Sequence, residues 1–261
     1  MSEIRYEIIS DHVARVTIDR PRVLNALSPA AEDELREIWA RIEGDRDVWV
    51  VVLTGAGDRA FCVGADMSER GTRETGIQYW ARERPGGFGG LAIRRTLSVP
   101  VIAAVNGHAI GGGLEMLLGC DIVVAVEEAR FGLSEPRVGR IPLDGGVFQL
   151  VRQLPYRLAM SMLLTGRQIS AAEACRYGLI NEVVARDAFE AAVQRWVDDV
   201  LQCAPLSLRA IKEMVLRTEG LRVGDATRMS FPTLMEALES DDATEGVRAF
   251  REKRKPIWRA S

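Results

Sequence analysis

"NGHAIGGGLEMLLGCDIVVA", residues 106–125, sets Gly111, Gly112 and Gly113 directly before a run that reads as a helix, with Glu115 in its first turn. A helix start carries N–H groups that have no partner inside the helix. Glycine there lets a ligand oxygen approach with no Cβ in the way. The stretch is therefore a candidate donor site for an anion or oxyanion. The competing reading is a tight strand-to-helix turn in which Glu115 only complements the helix dipole. The three glycines lack the GxGxxG spacing and the distant acid of a dinucleotide fold.

Outward from this stretch, "VWVVVLTGAG" (48–57), "VPVIAAVNG" (99–107) and "DIVVAV" (121–126) are continuous apolar runs of the kind found in buried strands. Near the N-terminus, "IRYEII" and "HVARVTID" alternate at period two around "SD" and predict a hairpin. "SPAAEDELREIWARIEGD" (28–45) reads as a helix capped by Ser28, with Leu35, Ile38, Trp39 and Ile42 on one face. The segment 70–90, rich in Gly and Arg, shows no period and is expected to include a surface loop forming a pocket wall. Residues 91–98 are expected to be helical. After about residue 145 strands are expected to stop and the remainder to be helical. The fold class is α/β, with a β-rich N-terminal core and a helical C-terminal region.

The 261 residues are 47% hydrophobic and 27% charged, enough for a large core plus a smaller appended element. A net charge of -3 argues against a nucleic-acid surface built on bulk positive charge. The four cysteines, Cys62, Cys120, Cys175 and Cys203, form no CxxC pair and have no histidine at ligand spacing; they read as reduced core thiols, and no metal is expected. The N-terminal residues lack the layout of a secretory signal, and no apolar run is long enough to span a bilayer. The expected location is cytoplasmic.

Two further stretches carry candidate chemistry. "LTGAGDRAFCVGAD" (53–66) leads from a strand through Gly55, Gly57 and Gly64 to Ala65 and Asp66, and its alternative is a surface loop with Phe61 plugging the core. Two glycine-flanked amides converging on one carbonyl oxygen would stabilise the negative charge that it acquires during reaction. "ARFGLSEPRVGRIPLDGG" (129–146) places Glu135 between Ser134 and Pro136, as a partly buried acid or as a solvated loop carboxylate. Paired with Glu115 it would flank a polarised carbonyl compound with two acids, a layout suited to moving protons on and off carbon.

"RPRVLNALS" (20–28), "AFCVGAD" (60–66), residues 99–125, "FGLSEPRVG" (131–139), "LLTGRQISAAEACRYGLINEVV" (163–184) and "EGVRAFREKRKPIW" (245–258) together resemble the enoyl-CoA hydratase/isomerase, or crotonase, superfamily. The resemblance runs in order over nearly the whole chain. It implies a crotonase-like spiral of ββα units over residues 1–195, and a helical region over 196–261 for oligomerisation and active-site cover. It also implies a homotrimer, or a hexamer made as a dimer of trimers, and an acyl-CoA thioester substrate. Coenzyme A would be part of that substrate, with no separate cofactor, nucleic acid or membrane partner.

By the same resemblance the N–H groups of Ala65 and Gly112 are the two oxyanion donors, and Glu115 and Glu135 match the two hydratase glutamates. Arg22, Val23, Leu24, Ala26, Val63, Asp66 and Met67 are expected along the nucleotide and pantetheine path. The basic "REKRKP" (251–256) either helps neutralise CoA phosphates or is a solvated helix end. Ser134 stands where the family often has Pro, and Leu143 and Asp144 stand where common hydratases carry small residues; all three are expected at the substrate. Asp144 would contact a polar acyl group or take part in proton transfer, or else cap the helix beginning near residue 145. The implied reaction is reversible hydration of a 2-enoyl-CoA to a 3-hydroxyacyl-CoA. The alternatives are double-bond isomerisation, a carnitinyl-CoA dehydratase-like reaction, and an inactive acyl-CoA- or RNA-binding relative.

Overall fold

The computed structural model describes residues 2–68 and 76–261; the part of the expected pocket-wall loop at 70–75 lies outside the described residues. The chain opens with an antiparallel hairpin, β1 (Ile4–Ser10) and β2 (Val13–Ile18), turning at Asp11 and His12. Helix α1 (Pro29–Gly44) follows, buried along Leu35, Trp39 and Ile42. Then come β3 (Val50–Gly55), β4 (Ala60–Cys62) and α2 (Gly76–Ala81), followed by β5 (Val101–Val105), β6 (His108–Ile110) and α3 (Gly112–Leu117). The next turn of the chain holds β7 (Ile122–Val126), β8 (Arg130–Gly132) and a 3-10 turn over Glu135–Val138.

This order is a spiral. After the hairpin, the strands from β3 to β8 go alternately into a six-stranded sheet, β1-β2-β3-β5-β7-β10, and a four-stranded sheet, β4-β6-β8-β9, and the last turn adds β9 (Ile169–Ser170) to the smaller sheet before β10 (Glu182–Val184) to the larger. From β2 to β10 the larger sheet is parallel, and every residue of β5 is buried, as its unbroken apolar sequence requires. Strands β9 and β10 correct the expectation that strands stop at residue 145. Residues 91–98 are likewise not helical: they form turns, and the Arg94 guanidinium bonds both carboxylate oxygens of Glu43 on α1 at 2.6 and 2.7 Å.

Ser28 caps α1 as expected, its hydroxyl accepting from the Ala31 N–H at 3.0 Å while also donating to Glu3. Ser28→Ala should lower the unfolding free energy by about 1–2 kcal/mol. Chemical denaturation with an unchanged slope checks this; an unchanged midpoint would show the cap to be idle.

The remaining helices are α4 (Gly146–Gln153), α5 (Tyr156–Thr165), α6 (Ala171–Arg176), α7 (Phe189–Leu201), α8 (Pro205–Thr218), α9 (Val223–Ala226), α10 (Pro232–Glu239) and α11 (Asp241–Glu252). Helix α7 packs Phe189, Ala192, Val193 and Val197 into the main core, whereas Leu206, Ala210 and Ala237 form a separate small cluster between α8 and α10. Lys212 ties α8 back to the sheet, bonding Asp121 at 2.6 Å and the Val99 carbonyl at 2.8 Å. All four cysteines are free, but Cys203 is exposed, so the core-thiol reading fails for it. No helix among the described residues is long and apolar enough to cross a membrane.

Candidate active site

Ala65 sits in a short parallel bridge with Leu27. Its neighbours make the bonds: the Leu27 N–H donates to Gly64 O at 2.9 Å, and the Asp66 N–H to Leu27 O at 2.8 Å. Strand geometry therefore turns the N–H of Ala65 itself to the opposite side. The start of α3 packs against this segment: a Cβ placed on Gly64 would come within 3.1 Å of the Gly112 nitrogen. Among the described residues, neither the Ala65 nor the Gly112 N–H is engaged by an acceptor. Helix α3 has only six residues, so these bare N–H groups matter more than its dipole.

The glycine run is also what lets α3 start here. A Cβ at Gly113 would lie 2.0 Å from the carbonyl oxygen of Cys62 on β4, and one at Gly112 would lie 2.7 Å from the Phe88 ring. The tight-turn reading therefore holds, and the same turn sets the Gly112 amide beside Gly64. Two buried asparagines fix the chain that leads into β4. Asn25, itself left-handed at φ 57, donates to Ala56 O at 3.0 Å and Ala60 O at 2.7 Å. Asn106 donates to Gly57 O at 2.8 Å and accepts from the Gly55 N–H at 3.1 Å.

Glu115 is buried, and its Oε1 accepts from the N–H groups of Asp144 and Gly146, both at 2.9 Å. Burial first, then the charge of Asp144, pushes its pKa up to about 8, and Glu135 adds in the same direction. It does more than complement a dipole. Glu135 is half-buried at the head of the 3-10 turn, and its Oε2 is buried without a hydrogen-bond partner among the described residues. Burial holds its pKa above the ordinary carboxylate range, so it is not a solvated loop acid. Glu135 reaches the turn before α3, where a Cβ at Gly111 would lie 3.1 Å from its Oε1, and its charge is near enough to Glu115 to add to the rise in that acid's pKa.

The helix-cap reading of Asp144 is overturned. Gly145, at φ 112, occupies the cap position of α4 without a side-chain bond. Asp144 instead turns inward, where Arg84 reaches Oδ1 through Nε at 2.9 Å and Nη2 at 2.7 Å, and the Tyr79 hydroxyl donates to Oδ2 at 2.6 Å. The guanidinium of Arg84 lies 3.7 Å from the Tyr79 ring centroid. Both Asp144 oxygens are thus bonded to protein partners. Tyr79 and Arg84 went unnoticed in the sequence because they lie in a segment without period.

Along the expected CoA path, Arg22 and Val23 are exposed on the 3-10 turn Pro21–Val23, Leu24 is half-buried with φ 56, and Ala26 is buried. Val63 is half-buried and Met67 exposed. Asp66 is buried with both oxygens engaged, by Ser68 at 2.6 Å and by Arg20 at 2.9 Å; these contacts, Ser68 foremost, lower its pKa. Arg20 also donates to Ala26 O at 2.6 Å, a tie that sequence reading missed. Within the C-terminal basic run, Arg254 is occupied by Glu245 at 2.5 Å and Glu252 at 2.6 Å. Ser134 is half-buried beside Glu135, and Leu143 lines a cleft of about 620 Å³ between α2 and residues 138–143.

The family described as enoyl-CoA hydratase/isomerase matches residues 9–261. The chain belongs to this family. Among relatives, the (E)-benzylidenesuccinyl-CoA hydratase of Thauera aromatica is 38% identical over 97% of this chain and 98% of its own length. The carnitinyl-CoA dehydratase of Escherichia coli is 35% identical over 99% of each. Among solved structures, the enoyl-CoA hydratase of Mycobacterium tuberculosis superposes with a TM-score of 0.89 at 30% identity, covering 100% of both chains. That of Bacillus anthracis gives 0.88 at 34% identity, covering 99% of this chain and 100% of its own. The spiral of alternating strands is the fold of this crotonase family, and members of the family are hydratases and lyases.

Proposed function

We propose that the protein adds water reversibly across the double bond of a 2-enoyl-CoA. The observation that carries this reading is the gathering of buried Glu115 and half-buried Glu135 at the start of α3, next to N–H groups of Ala65 and Gly112 that no described residue engages. In this reading the thioester carbonyl oxygen accepts from both amides, which hold the charge that develops when water attacks Cβ. One such donor is worth about 3 kcal/mol of barrier in other enzymes. Burial raises the proton affinity of both acids, and in this reading one of them activates water while the other protonates Cα. The names of the hydratase and dehydratase relatives support chemistry with water over a simple shift of the double bond.

The substrate path is proposed to run over Arg22 to Ala26 and Val63 to Met67, with Ser134, Leu143 and Asp144 bordering the acyl end. Helices α8 to α11 leave Ile211, Val215, Leu238 and Phe250 exposed, and they are proposed as the trimer contact, with pairing of trimers into a hexamer.

A mass-spectrometric screen of enoyl-CoAs in water labelled with heavy oxygen tests the reaction. Hydration places the label in the 3-hydroxyacyl product. An unlabelled isomer would make the enzyme an isomerase, and no consumption of any acyl-CoA would leave a binding protein.

A further inference from the structure

We propose that the cleft beside the site recognises the far end of the acyl group, and that Arg140 selects substrates bearing a second, free carboxylate behind an apolar body. This inference rests on the acyl-CoA reading above and names the class of acyl group.

The cleft holds about 620 Å³, within the range of small-molecule sites. One wall is α2, with Ile77 and Trp80 exposed toward solvent and Tyr79 half-buried; the other carries Val138 and Ile141, also exposed, and half-buried Leu143. Large apolar groups left open on both sides of a cleft call for an apolar occupant. Each wall is continuous with the reacting groups. Val138 ends the 3-10 turn that Glu135 begins, and Leu143 precedes the residue whose N–H holds Glu115. Tyr79 closes the circuit by bonding Asp144. An acyl chain leaving the two glutamates thus meets this cleft next.

Charge decides the chemistry of its far end. Asp144, buried behind the cleft, has both oxygens bonded, to Arg84 and to Tyr79. Arg137 is drawn away, its Nε donating to the Thr165 carbonyl at 3.0 Å. Arg140 lines the cleft and makes no ion pair or side-chain hydrogen bond among the described residues; only its main-chain N–H is used, donating to Glu135 O at 2.9 Å. An exposed guanidinium at the edge of an apolar cleft, with no counter-charge among the described residues, is available to a carboxylate, which it can hold in a charge-assisted, bidentate manner.

The test compares oct-2-enoyl-CoA with the equally long enoyl-CoA whose terminal methyl is replaced by a carboxylate. The native enzyme should favour the carboxylated substrate in kcat/KM by about ten-fold, the scale of one charge-assisted bond. Arg140→Met should bring that ratio to about one, and Arg140→Lys should restore part of it. Because the readout is a ratio, a general loss of folded enzyme cancels. A native preference for the uncharged substrate, or a ratio untouched by Arg140→Met, overturns the inference.

If neither substrate turns over, calorimetric binding of the two saturated acyl-CoAs is compared instead. A carboxylate preference lost in Arg140→Met then sustains the cleft while the hydratase reading falls, and equal binding overturns it. Loss of a subunit contact in Arg140→Met by sedimentation, with no substrate preference, would make the cleft an interface and also overturn the proposal.

Discussion

Glu115→Gln should lower turnover by about 10²–10⁴-fold, the range set by losing a positioned acid or base, and at the same time make the protein more stable at alkaline pH. The fold survives the change because a glutamine carbonyl accepts the same two N–H bonds from Asp144 and Gly146. Loss of activity therefore reports on chemistry. Stability follows from the proton. The native carboxyl binds its proton up to about pH 8, against an ordinary value of 4.5. A group whose pKa is raised on folding contributes stability that is fully present below pH 4.5 and is lost as pH rises through 8. The total is on the order of 5 kcal/mol for a group this buried. Glutamine has no proton to lose. The melting temperatures of the two proteins should diverge over that window, by on the order of 10 °C at its alkaline end. Parallel melts from acid to alkaline pH, with turnover on any enoyl-CoA that reacts, check both halves. Full activity in the variant would remove Glu115 from the reaction, and parallel pH curves would remove its unusual proton affinity.

Gly113→Ala should be the most damaging single methyl in the site. Its Cβ would lie 2.0 Å from the Cys62 carbonyl oxygen and 2.6 Å from the carbon, and both atoms are backbone in a buried strand. No rotamer relieves this contact, so β4 and α3 must separate. Overpacking of this kind costs about 1–3 kcal/mol and sometimes more, which should appear as a melting temperature lower by roughly 5 °C or more. The same separation pulls apart the segments that carry the Ala65 and Gly112 amides. On the proposed mechanism turnover should therefore fall further than KM rises, since the lost contact is one made to the charged intermediate. A native melt and native turnover would show that the two segments can part without consequence.

What the sequence disclosed follows from how local each signal is. The cap at Ser28, the buried strands β3, β5 and β7, and the glycine run before Glu115 are each written in adjacent residues. Strands β9 and β10 span two and three residues, too few for any period to show. Asp144 misled for a different reason. Aspartate before a helix is the ordinary sign of a cap, but its true partners lie 60 and 65 residues away in a segment without pattern. The commitment of Asp66 to Arg20, 46 residues apart, was hidden in the same way. Long-range polar pairing in loops leaves no trace in spacing, whereas the close approach of backbones leaves glycines.

Asp144 also links two functions that are usually separable. Its main chain grips Glu115, the acid proposed to act at the reacting carbons, while its side chain is gripped by α2 and the residues after it, in the wall proposed to feel the tail of the substrate. A drift in that wall is transmitted through one peptide unit to the Glu115 carboxyl. Evolution of a new acyl preference along α2 is therefore constrained from within: the outward-facing Ile77 and Trp80 are free to vary, whereas Tyr79 and Arg84 are bound to the machinery behind them.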